Sequence, residues 1–493
     1  MLFNSQPFLF LFLPAVWLGY FWLAPRHALA GPVWLCLASL AFYAGWSPWY
    51  VALLVGSIAF NHGAGRLIAR WREGPRGGWV LAGAIVADLV LLGYYKYAGF
   101  FAASLAGLTG LPLAVGQVVL PLGISFFTFT QIAWLVDVRR GLATDLSAWR
   151  YALFVTYFPH LVAGPILHHA EVMPQFADPA NRRVRPDLVA LGLAVFTVGL
   201  AKKVLLADPL GRLADPVFLV ADAGTVPTAL EAWLGALGYT LQLYFDFSGY
   251  SDMAIGLSLL FGIRLPLNFD SPYRATSIID FWRRWHMTLS RFLRDYLYVS
   301  LGGNRRGPAR RWLNVWVTML LGGLWHGASW TFVAWGALHG AYLVVNHAWR
   351  GWLGDRLPTQ GWAGRAYALG AGGLTFLAVV VAWLPFRAPT FEAAGRVAAG
   401  LLAWPALPAG GPFPHLVGDF APSPGPALAY LVAGLGLVWL APNTATTFGL
   451  REGEAAGEGR WRPSLAAAVA LAALCCASLA HLHRESPFLY YQF

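Results

Sequence analysis

Charge is scarce in this chain. Only 12% of its 493 residues are Asp, Glu, Lys or Arg, about half the ~25% typical of soluble domains. The shortage runs the whole length, which excludes a soluble enzyme carried on one membrane anchor. Disorder is excluded too, because it needs low hydrophobicity and high charge, and 58% of these residues are hydrophobic. Cysteine is scarcer still. Cys36, Cys475 and Cys476 all sit in apolar runs, with no CxxC spacing and no even framework, so neither a disulfide scaffold nor a zinc site is supported. Lysine is nearly absent: of 34 basic residues only Lys96, Lys202 and Lys203 are lysines. The start, MLFNSQPFLFLFLPAVWLGYFWLAP, lacks a basic leader. Its apolar run from Pro7 to Ala24 reads as a retained first helix rather than a cleaved signal.

What the chain has is apolar runs and arginine. The runs lie near 7–24, 31–46, 48–65, 78–95, 117–137, 150–165, 187–207, 228–262, 312–326, 328–348, 366–386, 427–441 and 464–480. At roughly 20 residues per span they predict about eleven membrane crossings, with some shorter runs re-entrant. The run at 228–262 is too long for one straight crossing and is expected to break near Ser248–Gly249. The net charge is +11. In a chain this apolar, that points to cytoplasmic loops and anionic lipid, not to nucleic acid. Arg66, Arg70, Arg72 and Arg76 mark the 66–77 loop as cytoplasmic, Arg26 and the Arg139–Arg140 pair follow, and the N-terminus falls outside. Residues 264–311 hold ten Arg, and residues 405–426 hold seven Pro. No inverted repeat of the transporter kind is found.

Residues 241–340 carry the chemistry. In IIDFWRRWHMTLSRFLRDYLY, the apolar positions Ile278, Phe281, Trp282, Trp285, Leu289, Phe292, Leu293 and Tyr296 fall at helical spacing. Arg283, Arg284, Arg291 and Arg294 take the polar side, so the segment predicts one basic amphipathic helix at the cytoplasmic interface. Asp280 near its start suits the helix dipole. His286 points with the apolar face. It is either a hydrogen-bonded structural imidazole or a catalytic one. His326 sits in LLGGLWHGASW, where two apolar runs meet, and an ionisable residue in such a place is a functional hypothesis. Gly322, Gly323 and Gly327 around it fit a tunnel wall, where glycine lets substrate approach, or close helix packing. His160, His339 and His347 read as structural. Tyr244, Asp246, Ser248, Tyr250 and Asp252 cluster in YFDFSGYSD, where polar groups must be paired or wetted. They line a polar cavity or cap a broken helix. LNFDSPY and LGGNRRG read as turn-rich loops, with Arg305 and Arg306 available to an anionic group. Trp325 and Asn304 complete the candidate substrate and tunnel set with Tyr244, Asp246, Ser248, Tyr250 and Arg305.

Together YFDFSGYSDMAIG, FWRRWHMTLSRFLRDYLY, LGGNRRG and GGLWHGA resemble the signature of the membrane-bound O-acyltransferase (MBOAT) superfamily, and within it the bacterial AlgI-like branch of alginate O-acetylation. PLGISFFTFTQIAWLVDVRRG at 121–141, FPHLVAGPI at 158–166 and KKVLLAD at 202–208 agree. The likeness extends to about Arg396. The Pro-rich loop, the acidic 452–458 stretch and the closing SPFLYYQF depart from it.

The resemblance implies an all-α polytopic membrane fold, with re-entrant and amphipathic helices around a transmembrane tunnel. It implies a single membrane domain over 1–493, with 1–400 as its core. The family histidine maps onto His326 and a second family position onto His286. The implied activity is acetyl transfer from a cytoplasmic thioester, acetyl-CoA or an acyl carrier, with no bound cofactor or metal. The acceptor would be an exported polysaccharide, alginate first, and peptidoglycan or another surface glycan as the alternative. An SGNH-type periplasmic partner and an inner-membrane location follow. The Arg-rich 264–311 stretch could hold donor phosphates or anionic lipid. His326 would act as base. His286 would polarise the thioester carbonyl or hold the acceptor. The rival classes are a transporter of acyl donor or lipid without chemistry, and a family enzyme acting on lipid or protein.

Overall fold

A computed structural model of the chain describes residues 1–111, 116, 118–358, 360–403, 425–451, 462–482 and 487–489. All but the last two residues of the Pro-rich 405–426 segment, the acidic 452–458 stretch and most of SPFLYYQF lie outside the described residues. No strand occurs among the described residues, and the all-α polytopic fold is as expected. Among the described residues, four helices are long and apolar enough to cross a bilayer: Pro48–Arg70, Pro75–Thr109, Pro186–Asp222 and Gly361–Arg387. Four shorter apolar helices accompany them: Phe8–Leu23, Ala30–Ala44, Gly425–Leu440 and Leu465–Ala480. Helices bond their own backbone, which hydrocarbon demands of any chain crossing it. Trp49 is 87% exposed, Trp362 83% and Leu465 82%. Such side chains are a liability in water and natural against lipid.

The apolar runs at 117–137, 228–262, 312–326 and 328–348 are also helices, as Ile124–Arg140, Ala229–Leu259, Gly307–His326 and Trp330–Leu353. The run at 150–165 is not a span. It is a nine-residue helix, Ala148–Thr156, then Tyr157 at φ −47°, ψ 107°, then a single turn at Phe158–Leu161. Pro159 opens that turn, where its missing N–H is harmless. The break expected near Gly249 does not occur, because Ala229–Leu259 is one helix of 31 residues. Some of its polar side chains have partners within the helix or on a neighbouring one. Thr240 Oγ1 returns to the Ala236 carbonyl at 2.7 Å, and Asp246 accepts from Lys203 Nζ at 2.8 Å. Groups satisfied in this way need no watery gap.

The chain forms two compact units. The first comprises Met1–Leu200, Tyr250–Leu267 and Pro463–Tyr491. It packs aromatic rings of Phe3, Phe8, Phe12, Phe42 and Phe158 at 5.1–6.2 Å between centres. Its buried polar groups link helices: Asn61 donates to Asp88 at 2.9 Å, Gln131 to Ser57 at 2.8 Å, and Tyr151 to Gln131 at 3.1 Å. The second comprises Ala201–Gly249, Asn268–Arg462 and Gln492–Phe493. Its centre is the hairpin of Gly307–His326 and Trp330–Leu353. A Cβ on Gly323 would lie 2.3 Å from the Phe332 carbonyl oxygen, and one on Gly336 2.4 Å from that of Met319. These glycines let two backbones touch, so of the two readings of the Gly-rich WHGA region, close packing is the one observed at Gly323.

Candidate active site

The segment predicted as one amphipathic helix is broken at the histidine. A first helix covers Ile278–Arg284, with Ser277 Oγ accepting from the Asp280 N–H at its start. Trp285 is extended, and His286 takes φ 42°, ψ 55°. A second helix, Met287–Phe292, then runs into a π turn, Leu293–Tyr298. Left-handed backbone costs a residue with a Cβ about 1–3 kcal/mol and persists only where surroundings enforce it. The enforcing element is the loop 268–270, which bonds across the break. Met287 N–H donates to the Asn268 carbonyl and Asp270 N–H to that of Arg284, each at 3.0 Å. Two non-glycine residues among those described have positive φ, His286 at the break and Ser271 directly after the loop.

The same loop fixes the imidazole. His286 Nδ1 lies 3.0 Å from Asn268 Oδ1, which also takes Thr288 Oγ1 at 3.0 Å and the Thr288 N–H at 3.4 Å. That backbone donor identifies the Asn268 atom as oxygen, so Nδ1 carries the proton and Nε2 carries the lone pair. The ring is fully buried, with Phe247 edge-on at 4.7 Å. Burial pushes its pKa down to about 3, because the charged form loses its hydration.

His326 is the last residue of its helix, and the chain leaves at Gly327 with φ −160°. Its buried ring sits 5.0 Å from Trp325, 5.0 Å from Trp335, 5.3 Å from Phe386 and 6.4 Å from His286. Trp325 touches both imidazoles, lying 6.2 Å from His286. The structure thus gathers His286, His326 and Trp325 in an aromatic enclosure.

The other sequence candidates go elsewhere. Tyr244 packs on Phe269 and Tyr273, beside the loop that carries Asn268. Asp246 shares Lys203 Nζ with Asp208, at 2.8 and 2.7 Å, all three side chains within 9% exposure. Ser248 is buried one turn from Tyr244. Tyr250 stacks on Phe3 at 4.8 Å and meets Phe488 at 4.1 Å, in the first unit's aromatic core. Asn304 accepts from Tyr298 Oη. It and Arg305 lie on an exposed turn before Gly307–His326, at the end of that 20-residue helix away from His326, roughly 28 Å along the axis. His339 Nδ1 accepts from Trp282 Nε1 at 3.2 Å, and His160 Nε2 bonds the Phe154 carbonyl at 2.7 Å, both structural arrangements.

Asn268, Trp335, Phe386 and Lys203 were not singled out by the sequence. For Lys203 a signal existed, since two of three lysines fall together in an apolar run. One group among the described residues has metal-type donors, Asp137, His168 and His169. Both Nε2 atoms converge on Asp137 Oδ2 at 2.8 and 3.2 Å. His168 Nδ1 accepts the Ala170 N–H, so its proton is on Nε2 and faces the carboxylate. That is a hydrogen bond, not a ligand geometry.

Comparison with known proteins adds the following. The sequence model of the membrane-bound O-acyltransferase family, MBOAT, matches residues 99–379. The chain is 42% identical over 434 residues to the peptidoglycan O-acetyltransferase of Helicobacter pylori, covering 82% of this chain and 80% of that one. It is 44% identical over 407 residues to the probable alginate O-acetylase AlgI of Pseudomonas syringae pv. tomato, covering 80% and 74%. It is 26% identical over 349 residues to the teichoic acid D-alanyltransferase of Bacillus subtilis, covering 68% and 81%.

Proposed function

Because the chain belongs to the membrane-bound O-acyltransferase family, we propose that it is a bacterial inner-membrane O-acetyltransferase. It takes acetyl from a cytoplasmic thioester, acetyl-CoA or an acyl-carrier thioester, and passes it across the membrane for O-acetylation of an exported polysaccharide. Alginate is the first acceptor, after the AlgI relatives. The observation that carries the chemistry is the buried imidazole pair, ring centres 6.4 Å apart.

His326 acts as general base. It takes the proton of the attacking hydroxyl as the oxygen adds to the thioester carbonyl carbon. The tetrahedral intermediate then collapses, the C–S bond breaks, and the imidazolium returns the proton to the departing sulfur. A positioned histidine supplies about 10²–10⁴-fold this way. His286 has its Nδ1–H committed to Asn268, so Nε2 is an acceptor and suits holding the hydroxyl. It cannot donate to a carbonyl oxygen in this tautomer. With its pKa near 3 it is a poor proton carrier at neutral pH. The N-terminus lies on the periplasmic side, the Arg-rich loops face the donor, and an SGNH-type periplasmic partner completes delivery.

Peptidoglycan is the second reading of the acceptor. It is favoured by the Helicobacter pylori relative, which matches this chain over as great a length as the AlgI proteins do. The test is His326→Ala in a strain carrying the gene. Polymer acetylation is lost while the protein still inserts. Retained acetylation with inserted variant overturns the reading, and polymer analysis of a deletion strain decides between alginate and peptidoglycan.

A further inference from the structure

A second polar site lies behind the histidine loop. Asp270, Ser271, Arg274, Arg284, Asn443 and Arg451 line a pocket of about 200 Å³. Three guanidiniums against one carboxylate leave it net positive. Asp270 Oδ1 accepts from Asn443 Nδ2 at 2.7 Å and Arg451 Nη2 at 2.9 Å. Arg284 uses Nε on Asp280 and Nη1 on the Asp270 carbonyl. Arg274 uses Nε on the Val438 carbonyl and Nη2 on that of Ala441. Each guanidinium has five N–H groups, so all three keep donors for a guest. These bonds hold the guanidiniums themselves, so their remaining donors are preorganised rather than floppy. Ser271 lines the pocket with φ 50°, and strain of this kind collects at ligand sites.

We propose that this pocket is a phosphoryl-binding subsite, which seats the phosphate or pyrophosphate of the thioester donor. The inference rests on the acyl-transfer reading for the identity of the donor. A planar guanidinium fork matches phosphate oxygens in pairs. The pocket has room for a pyrophosphate and is open on one side, so the rest of the donor extends out of it. Position favours a donor group over a lipid headgroup. The pocket wall and the His286 frame are one piece of chain: Asp270 bonds to the Arg284 carbonyl, and Asn268, two residues earlier, holds the imidazole. An anion drawing Arg284 and Arg274 together would stiffen the loop that seats His286, so donor binding and acceptor seating are linked.

The experiment uses the full chain in nanodiscs of phosphatidylcholine. Arg451→Gln is the deciding variant, because Arg451 is on the surface and remote from the imidazoles in sequence. Its KM for acetyl-CoA rises about 10- to 100-fold, from loss of charge-assisted hydrogen bonds. Its kcat/KM for acetyl-pantetheine, which has no phosphate, falls at least about fivefold less than its kcat/KM for acetyl-CoA. Equal loss with both donors, or no loss with either, overturns the subsite. Calorimetry with inorganic pyrophosphate needs no turnover: wild type binds, and Arg451→Gln binds about tenfold or more weakly. If no thioester is turned over by the wild type, the enzymatic reading fails, and the subsite stands or falls on this calorimetry alone. Displacement of pyrophosphate by added phosphatidylglycerol would assign the pocket to lipid and overturn the donor proposal.

Discussion

Asn268→Ala tests whether His286 works through its orientation. The side chain of Asn268 is 1% exposed and its oxygen receives the His286 Nδ1–H and Thr288 Oγ1–H, each at 3.0 Å. The 3.4 Å contact with the Thr288 N–H adds little. Losing two buried bonds at about 1–1.5 kcal/mol each gives roughly 2–3 kcal/mol. If that energy holds the productive ring orientation, the rate per folded enzyme falls by about 30- to 150-fold. A pH profile separates orientation from simple damage. In the wild type, burial keeps the imidazole neutral with its pKa near 3, so activity at pH 5–7 does not depend on its titration. Truncation opens space for water and moves the pKa up toward the unperturbed ~6.5. The variant then protonates as pH falls through about 6, and Nε2 stops accepting. The assay is acetyl release from a thioester donor at pH 5.5 and 7.5, normalised to folded protein by thermal melting. The variant loses several-fold more at the lower pH than the wild type does. A normalised rate equal to wild type at both values refutes the positioning argument.

Two further variants test the frame around the site. Gly323→Ala places a Cβ 2.3 Å from the Phe332 carbonyl oxygen, so the hairpin of Gly307–His326 and Trp330–Leu353 must part. Overpacking of this kind costs about 1–3 kcal/mol, read as a lower melting temperature, whereas Gly351→Ala, with open space around it, does not melt lower. Lys203→Met leaves Asp208 and Asp246 buried without their shared cation and destabilises by about 3–5 kcal/mol. Adding Asp246→Asn to Lys203→Met recovers part of that loss in a melting experiment. No recovery would show that Asp246 has another task.

The helices were legible because hydropathy is local: a run of apolar residues declares itself whatever surrounds it. The break at His286 was not. Ile278 to Phe292 keeps helical spacing without interruption, and no glycine or proline marks His286. The break is imposed by hydrogen bonds from Asn268 and Asp270, residues read only as part of a turn-rich loop. The reverse error arose in 229–259. Serine, glycine and aspartate at 246–249 suggested an interruption, yet the helix is continuous and Asp246 finds its partner in Lys203, more than 40 residues earlier. In both places a residue's type announced that something polar had to be satisfied. Which segment would satisfy it was a tertiary fact. His286, His326 and Trp325 stood out because their residue types are conspicuous in apolar sequence, and the structure brings their rings together. Asn268 was missed because asparagine in a turn needs no special explanation.

The preference for arginine over lysine also bears on what the positive charge is for. Topology alone does not distinguish them, since the inside rule counts both. Arg66, Arg70, Arg72 and Arg76, at and just beyond the end of Pro48–Arg70, fit that role. Arg274 does not, because its Nε and Nη2 reach two different carbonyls, Val438 and Ala441. Arg284 likewise divides its donors between Asp280 and the Asp270 carbonyl, and Arg387 reaches Asp215 at 2.6 Å. For Arg274 and Arg284 the task needs donors on a planar fork, which an ammonium lacks. Lysine sits where a point charge suffices: Lys203 Nζ lies between two carboxylates at 2.7 and 2.8 Å. Arg274→Lys would keep the net charge and the topology signal, yet it leaves at least one of the two carbonyls without its donor. The excess of arginine is therefore in part structural, and in the 264–311 stretch Arg274 and Arg284 are spent on the segment around the loop that holds His286.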